Sequence, residues 1–475
     1  MKKKTKILDV ISNFAQKMGS QVHFRSLRDG FVQTVPFLVL AGVFILINYV
    51  IIAPETGYIA GLVHNDALLA TWQELGSKII NGSLSCYSLL IGVLISYSLA
   101  KNKHYENPIY CSVITLAVIF IFVPIVNAVT PNGAEKAVEV ASIVPFDLLG
   151  TAGVFTSILS ALLSTELFIF LSRQEKLKIK LTGGIPPAVA QSFNALLAIM
   201  ITLIVFGFGS FAVHQLTKMD VHELINKVIQ APMLHLTTSL PGFLVLCFVT
   251  NTLFSLGIHP SGIVNPILEP PLLAAMNQNT EAFKNGTDIP NIIVLPFRDL
   301  YGHIGGTGST IALIIAIFLV SRKKSNRQFA KLAGPLEIFN INEPVIYGFP
   351  VVMNPVIMIP FIFGPLLSFA IAYFATAIGL VSKIVVYVPW STPPLINGYI
   401  ASGGDIRNSI LQLFLIAFMV VIYIPFLKAH ESSMTDDTEV NTSAFDKALG
   451  KNMENEKEIT STTDSDDFSD FAEFM

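Results

Sequence analysis

The chain has 475 residues, of which 52% are hydrophobic, 13% are charged and 35 are Phe, and its mean hydropathy is +0.63. Soluble chains carry about 25% charged residues, so this composition excludes a soluble enzyme, and its apolarity excludes disorder over most of its length. The formal net charge of −3 conceals an acidic stretch at 428–475, with 13 acids against 4 lysines, behind a body with 26 basic residues and 20 acids.

The basic residues of the body sit in short loops between apolar runs and form no extended patch, which argues against nucleic acid as a partner. The class is a polytopic membrane protein. Its N-terminal segment, 1–30, opens on MKKKTK and holds about two dozen polar or mixed residues before the first long apolar run at Phe31. A cleavable signal peptide has a nearer and shorter apolar region, so no cleavage is expected.

A helix crossing a hydrocarbon core of about 30 Å needs around 20 mainly apolar residues. Runs that meet this lie at 31–53, 79–100, 108–129, 150–171, 185–213, 238–258, 305–320, 351–379 and 409–427. Loops rich in Lys and Arg stay cytoplasmic. The rich ones are the N-terminal segment with Arg25 and Arg28, the Lys101/Lys103 loop, the loop from Arg173 to Lys180, and the loop from Arg322 to Lys331. The poor segments 54–78 and 130–149 therefore read as external, and the first five spans alternate. Parity then demands one more outward crossing within 259–303, a stretch broken by six prolines, which a broken or partly re-entrant helix plus a short crossing would supply. About ten spans result, with both termini cytoplasmic. The expected organisation is a five-helix half at 31–213, a second half with re-entrant segments at 214–430, and an acidic tail at 431–475 whose composition is that of disordered chain.

Backbone outside a helix survives at membrane depth only where protein buries it or water lines it. The segments HPSGIVNPILEPP at 259–271 and PLEIFNINEPVIYGFPVVMNP at 335–355 have that character, and so does the polar link PWSTPPLINGYIASGG at 389–404. Broken helices of this kind are where many transporters hold substrate.

Ionisable groups inside apolar stretches are costly and usually functional; here they are His259, Glu269, Glu337 and Glu343. A neutral sugar needs groups that accept from and donate to adjacent hydroxyls, with an aromatic face over the ring. Glu343 accepts, His259 can do either, and the amides of Asn342 and Asn265 do both. Of the two indoles, Trp390 lies in the proline-broken link, whereas Trp72 does not; an interfacial anchor is the alternative role for Trp390. Cys86, Cys111 and Cys247 lie in apolar stretches without a Cys-x-x-Cys pair, so they read as small buried hydrophobes, and no disulfide framework or zinc site is supported. Metalloprotease, P-loop and elbow-type hydrolase motifs are missing, and the GGTG run at 305–308 reads as packing of small residues. No metal or cofactor is called for. An ion-coupled secondary transporter would need similar intramembrane carboxylates, and an intramembrane enzyme is the more distant alternative.

The segment NEPVIYGFPVVMNP at 342–355, with GIHPSG at 257–262, HFRSLRDGF at 23–31 followed by Pro36, and WSTPP at 390–394, resembles the IIC permease component of the phosphoenolpyruvate-dependent sugar phosphotransferase system, lactose/cellobiose/diacetylchitobiose type. The resemblance runs over residues 5–430. It implies a homodimer in a bacterial cell membrane, with dimer contacts in the N-terminal half and sugar held in the C-terminal half. It implies sugar contact by His259 and Glu343 and stacking at Trp390. Pro260 stands where the family often has Gly. A β-linked disaccharide is expected, cellobiose first, with lactose or chitobiose behind it. Phosphorylation is expected from a separate IIB protein, with IIA, HPr and enzyme I upstream, because neither end of the chain has a soluble, strand-first segment with a phosphorylatable Cys. Glu343 would orient or deprotonate the accepting hydroxyl, and Arg28, just ahead of the first span, suits a phosphate oxygen pair.

Overall fold

In the computed structural model, which describes residues 21–53, 58–63, 65–129, 136, 138–179, 187–260, 263–349 and 351–433, the apolar runs fold as helices. The basic start of the chain and the acidic stretch beyond Ser433, for which disorder is expected, lie outside the described residues. Helix α1, Val22–Leu46, is capped by the Gln21 side chain and continues as a π-helical turn, Ile47–Ile51. It is followed by α2, Asp66–Asn81; α3, Tyr87–Asn102; and α4, Pro108–Phe122. A hairpin pairs β1, Val126–Val129, antiparallel with β2, Val138–Ala141. Helices α5, Val154–Ser172, and α6, Pro187–Thr217, close the first group.

The second group starts with a helical turn, Val221–Ile225, and a π-helical turn, Asn226–Gln230, which run into α7, Ala231–Thr238; α8, Leu240–Ser255, α9, Asn265–Lys284, and α10, Phe297–Tyr301, follow. Helices α11, Thr310–Val320; α12, Lys324–Glu337; and the short α13, Glu343–Gly348, come next. Helices α14, Pro355–Ala377; α15, Ile396–Ala401; and α16, Ile406–Ser433, complete the described chain.

Several expected spans are shorter than their apolar runs, for local reasons. The run at 79–100 is cut after α2, where Ser83 Oγ donates back to Ile79 O at 2.7 Å and competes with helical continuation. The run at 108–129 ends at Phe122, because Val123 takes the extended conformation favoured before a proline, and its last residues enter the hairpin, a β element inside a protein expected to be all-α. Helix α11 begins only at Thr310, after a loop with Gly305, Gly306 and Gly308 at positive φ. Where a broken crossing was expected, α9 is a continuous helix of 20 residues that holds Pro270 and Pro271 within it. Among the described residues, five helical stretches are long and apolar enough to cross a membrane: Val22–Ile51, Val154–Ser172, Val189–Thr217, Pro355–Ala377 and Ile406–Ser432. The pair Val221–Thr238 and Leu240–Ser255, bent by 81°, makes a sixth if it counts as one broken span and is a re-entrant loop if it does not. The segment before α3, expected to be an external loop, contains an amphipathic helix: α2 buries Leu69 and Ile80 and exposes Leu68, Trp72 and Leu75 along one stripe.

In the first group, α3 packs against α1, α4 and α5, and α6 lies on α4 and α5. Buried polar contacts tie these helices: Tyr87 Oη meets Thr34 Oγ1 at 2.8 Å, and Thr115 Oγ1 meets Ser164 Oγ at 3.0 Å. Glu166 of α5 joins His23 of α1 at 2.7 Å and also Lys103 at the end of α3. In the second group, α16 packs on α11 and α14, and α14 on α8. Its centre is aromatic, with Phe243 edge-on to Phe297 and Phe369 at 5.8 and 5.0 Å. Cys111 and Cys247 are buried in these two cores and Cys86 is half-buried, all as free thiols.

The groups meet where Leu273, Val385 and Val386 pack into the cluster of Leu38, Ala41 and Ile45 from α1. Gly42 makes this approach close enough that a Cβ there would stand 2.3 Å from Tyr387 O, a backbone atom with little freedom to yield. Gly42→Val should therefore cost about 1–3 kcal/mol by overpacking. A lowered midpoint of thermal unfolding in detergent would show it.

Candidate functional site

After α8 the chain turns out of helix and lays His259 beside the Phe254 ring, with ring centres 4.9 Å apart. After α12 it turns through Asn340, at φ 59°, and re-enters helix at Glu343, so that Asn342 and Glu343 stand at the opening of α13. These two breaks bring His259 Nε2 to 3.8 Å from Glu343 Oε1, with both side chains about half exposed. The carboxylate can accept and the imidazole can do either.

The pair faces a cavity of about 300 Å³, which His259, Asn265, Glu269, Asn342, Glu343 and Trp390 all line. That volume is within the range of small-molecule sites. Phe31, Val32, Val35 and Leu38 of α1, with Tyr87 of α3, form an apolar wall, so the cavity lies between the two helix groups. The aromatic, apolar and amide surfaces suit a ligand with a ring face and a rim of hydroxyls.

Six of the candidate residues are thus gathered in one place, and two are not. Glu337 is fully buried beneath the glycine loop, its Oε2 2.8 Å from Thr310 Oγ1, and it does not line the cavity. Arg28 lies one helical turn before Phe31 and Val32 but does not line the cavity, and its Nη2 is 2.8 Å from Asp29 Oδ1. Trp72 is exposed on α2.

Sequence reasoning singled out Glu269 and Asn265 but missed Arg298 and Asp299, which join them in a second polar cluster on the same cavity. Arg298 of α10 donates from Nε to Asp299 at 3.2 Å and from Nη1 to Asn265 Oδ1 at 3.3 Å, and its Nη2 stands 3.8 Å from Glu269. All four residues line the cavity. The signal available was an Arg-Asp pair in the apolar stretch around 292–301, the same kind of feature that singled out Glu343. Also missed were His303, whose Nε2 is 2.9 Å from Asn251 Oδ1, and Thr307 and Asn340.

The glycine loop is held against the site: Asn342 Nδ2 donates to Thr307 O at 2.8 Å, and Gly305 N–H donates to Asn340 Oδ1 at 2.6 Å. The expected packing of small residues holds at Gly308, where a Cβ would stand 2.1 Å from the Phe361 ring, and the loop has a second role, lining the cavity at Gly306 and Thr307. Glycine is required for two reasons at Gly306, where φ is 95° and a Cβ would stand 2.4 Å from Asn342 Cγ.

This helical architecture, with its cavity at broken segments between two packed groups, is that of a polytopic membrane permease. The chain belongs to the phosphotransferase-system EIIC family: the family model "Phosphotransferase system, EIIC" matches residues 28–365. It is 32% identical over 430 residues to the lichenan permease IIC component of Bacillus subtilis (strain 168), covering 90% of this chain and 94% of that protein. It is 32% identical over 428 residues to the cellobiose-specific EIIC component of Geobacillus stearothermophilus, covering 88% of this chain and 92% of the relative. Among solved structures it is similar to the transporter ChbC, the IIC component from the N,N'-diacetylchitobiose-specific phosphotransferase system, with a TM-score of 0.82, 32% identity, and coverage of 90% of this chain and 99% of that one. The chain is accordingly an integral membrane permease component of the phosphotransferase system.

Gly306→Ala should displace Asn342 from the cavity wall and weaken ligand binding by about tenfold, the worth of one buried hydrogen bond. Titration of the purified variant with cellobiose, lactose and diacetylchitobiose checks this.

Proposed function

We propose that this permease binds a β-linked disaccharide, cellobiose first and lactose or diacetylchitobiose next, and delivers it to a separate phosphorylated IIB protein during uptake. The observation that carries the reading is the convergence of His259 and Glu343, from two separate helix breaks, on a cavity that Asn342, Asn265 and Trp390 also line. The names of the relatives support the β-linked class, since lichenan, cellobiose and diacetylchitobiose are β-linked sugars. In this reading one ring lies between Trp390 and the Glu343–His259 pair, and the cluster of Glu269, Arg298 and Asp299 meets hydroxyls of the other.

Glu343 accepts from, and draws the proton of, the sugar hydroxyl on C6. That oxygen attacks phosphorus, the new O–P bond forms, and the bond from phosphorus to the IIB cysteine sulfur breaks. Phosphorylation makes uptake one-way, because a dianionic sugar no longer suits a site of neutral hydroxyl partners. The phosphoryl group reaches IIB from enzyme I through HPr and IIA. On its own the chain is not an enzyme but the membrane subunit of a transferase complex. We place it in a bacterial cell membrane as a homodimer of ten-span subunits with cytoplasmic termini, its dimer contacts in residues 31–213 and the polar groups of its sugar site in residues 214–430. Arg28, at the cytoplasmic mouth, contacts phosphate on the donor or product once freed from Asp29.

Two variants test the reading. Glu343→Gln should lower both disaccharide binding and phosphoenolpyruvate-dependent phosphorylation by about tenfold or more, as expected for loss of a hydrogen bond to a charged group; unchanged binding and phosphorylation would remove Glu343 from the site. Arg28→Gln should insert and bind sugar normally while slowing phosphorylation and making it more salt-sensitive. A parental phosphorylation rate in that variant would return Arg28 to a purely topological role.

A further inference from the structure

Three segments far apart in the chain make one side of the cavity: the glycine loop at 305–308, the turn at 338–342 that delivers Asn342 and Glu343, and the link that carries Trp390. None of them is helical where it meets the others, so each has backbone groups that need partners. The side chain of Asn340 supplies partners to two of the segments from within the third. Its Oδ1 accepts from Gly305 N–H at 2.6 Å, and its Nδ2 donates to Trp390 O and, at 3.3 Å, to Thr392 O. Both amide hydrogens and the amide oxygen are thereby used, which is most of what an Asn side chain can offer. Asn340 is buried, 6% exposed, and sits at φ 59°, a conformation Asn tolerates better than most residues.

We propose that Asn340 is a positioning residue that locks the Trp390 link to the turn bearing Glu343, so that the aromatic and carboxylate walls of the cavity hold one spacing. This rests on the reading of the cavity as a sugar site, which assigns the ring face to Trp390 and the hydroxyl to Glu343. The two arms of the amide do different work. The oxygen holds the glycine loop, and with it the Thr307 carbonyl that Asn342 binds at 2.8 Å. The nitrogen holds the indole-bearing link, where Trp390 itself is about half exposed. Thr392 O accepts also from Asn397 Nδ2 at 3.2 Å, so the far side of the link is anchored separately and the Trp390 carbonyl depends on Asn340.

The chain has two tryptophans, so Trp72→Phe leaves Trp390 as the sole indole reporter. In that background Asn340→Asp keeps an acceptor for Gly305 N–H and removes the donor to Trp390 O, whereas Asn340→Gly removes both arms while suiting the positive φ. The full chain in detergent is used, first without sugar. Acrylamide quenching of Trp390 should rise about twofold in both variants, and thermal stability should fall further in Asn340→Gly than in Asn340→Asp. With cellobiose, lactose and diacetylchitobiose added, whichever sugar changes Trp390 emission in the parent should bind about tenfold more weakly to Asn340→Asp, as expected for loss of one buried hydrogen bond. Unchanged quenching in Asn340→Asp overturns the proposal, and so does unchanged sugar affinity in that variant. If Asn340→Gly does not fold, Asn340→Asp decides alone. A parent whose Trp390 responds to none of the three sugars overturns the sugar reading, and the sugar-free quenching still decides whether Asn340 holds the link.

Discussion

The constraint on which the structure depends is that backbone leaving a helix inside an apolar protein must still find hydrogen-bond partners. Here buried side-chain amides supply them. Asn279 donates to both Asn291 O and Ile384 O at 2.8 Å and accepts from Asn291 N–H at 2.9 Å. Asn408 donates to Ser382 O at 2.8 Å and accepts from Ser382 N–H at 3.2 Å, and Gln412 donates to Leu300 O at 2.8 Å while accepting from Leu395 N–H at 2.9 Å. Asn251 bridges Ile362 O and His303, and Asn340 and Asn342 secure the glycine loop. Each amide has a donor and an acceptor side by side, the same pair a peptide group presents, so it can stand in for a missing strand or helical turn.

That device permits the cavity. The breaks near His259, Asn342 and Trp390 bring side chains of three separate segments to one surface. The other wall is different in kind, since Phe31, Val32, Val35 and Leu38 come from a single continuous helix of the first group. One wall is therefore polar and cross-braced by amides, and the other is smooth and apolar. The Arg298 cluster fits the same logic: two carboxylates and one guanidinium would be prohibitive in lipid, but they neutralise one another in part and open on the cavity.

His259, Glu343, Asn342 and Asn265 were legible because polar and ionisable groups beside prolines stand out in apolar surroundings. Arg298 and Asp299 had the same character, but they lie in a proline-broken stretch whose polarity reads equally well as loop. The amphipathic α2 was hidden because its charges, read only as loop polarity, obscured the stripe of Leu68, Trp72 and Leu75. The hairpin after α4 was hidden because Val-rich strands and apolar helices share a composition, and only the turn at Val123 and Pro124 separates them.

What the sequence by itself determined is the membrane class, the apolar runs, the breaks between them and the family, because these rest on composition, local period and contiguous motif. What only the tertiary structure decided is which breaks face each other, how far each apolar run stays helical, and that Glu337 lies beneath the glycine loop while Glu269 opens on the cavity. The physical reason is range. Apolarity and proline act on their own neighbourhood, whereas a buried amide such as Asn340 is satisfied by carbonyl and N–H groups from distant segments, and nothing local in the chain specifies those partners.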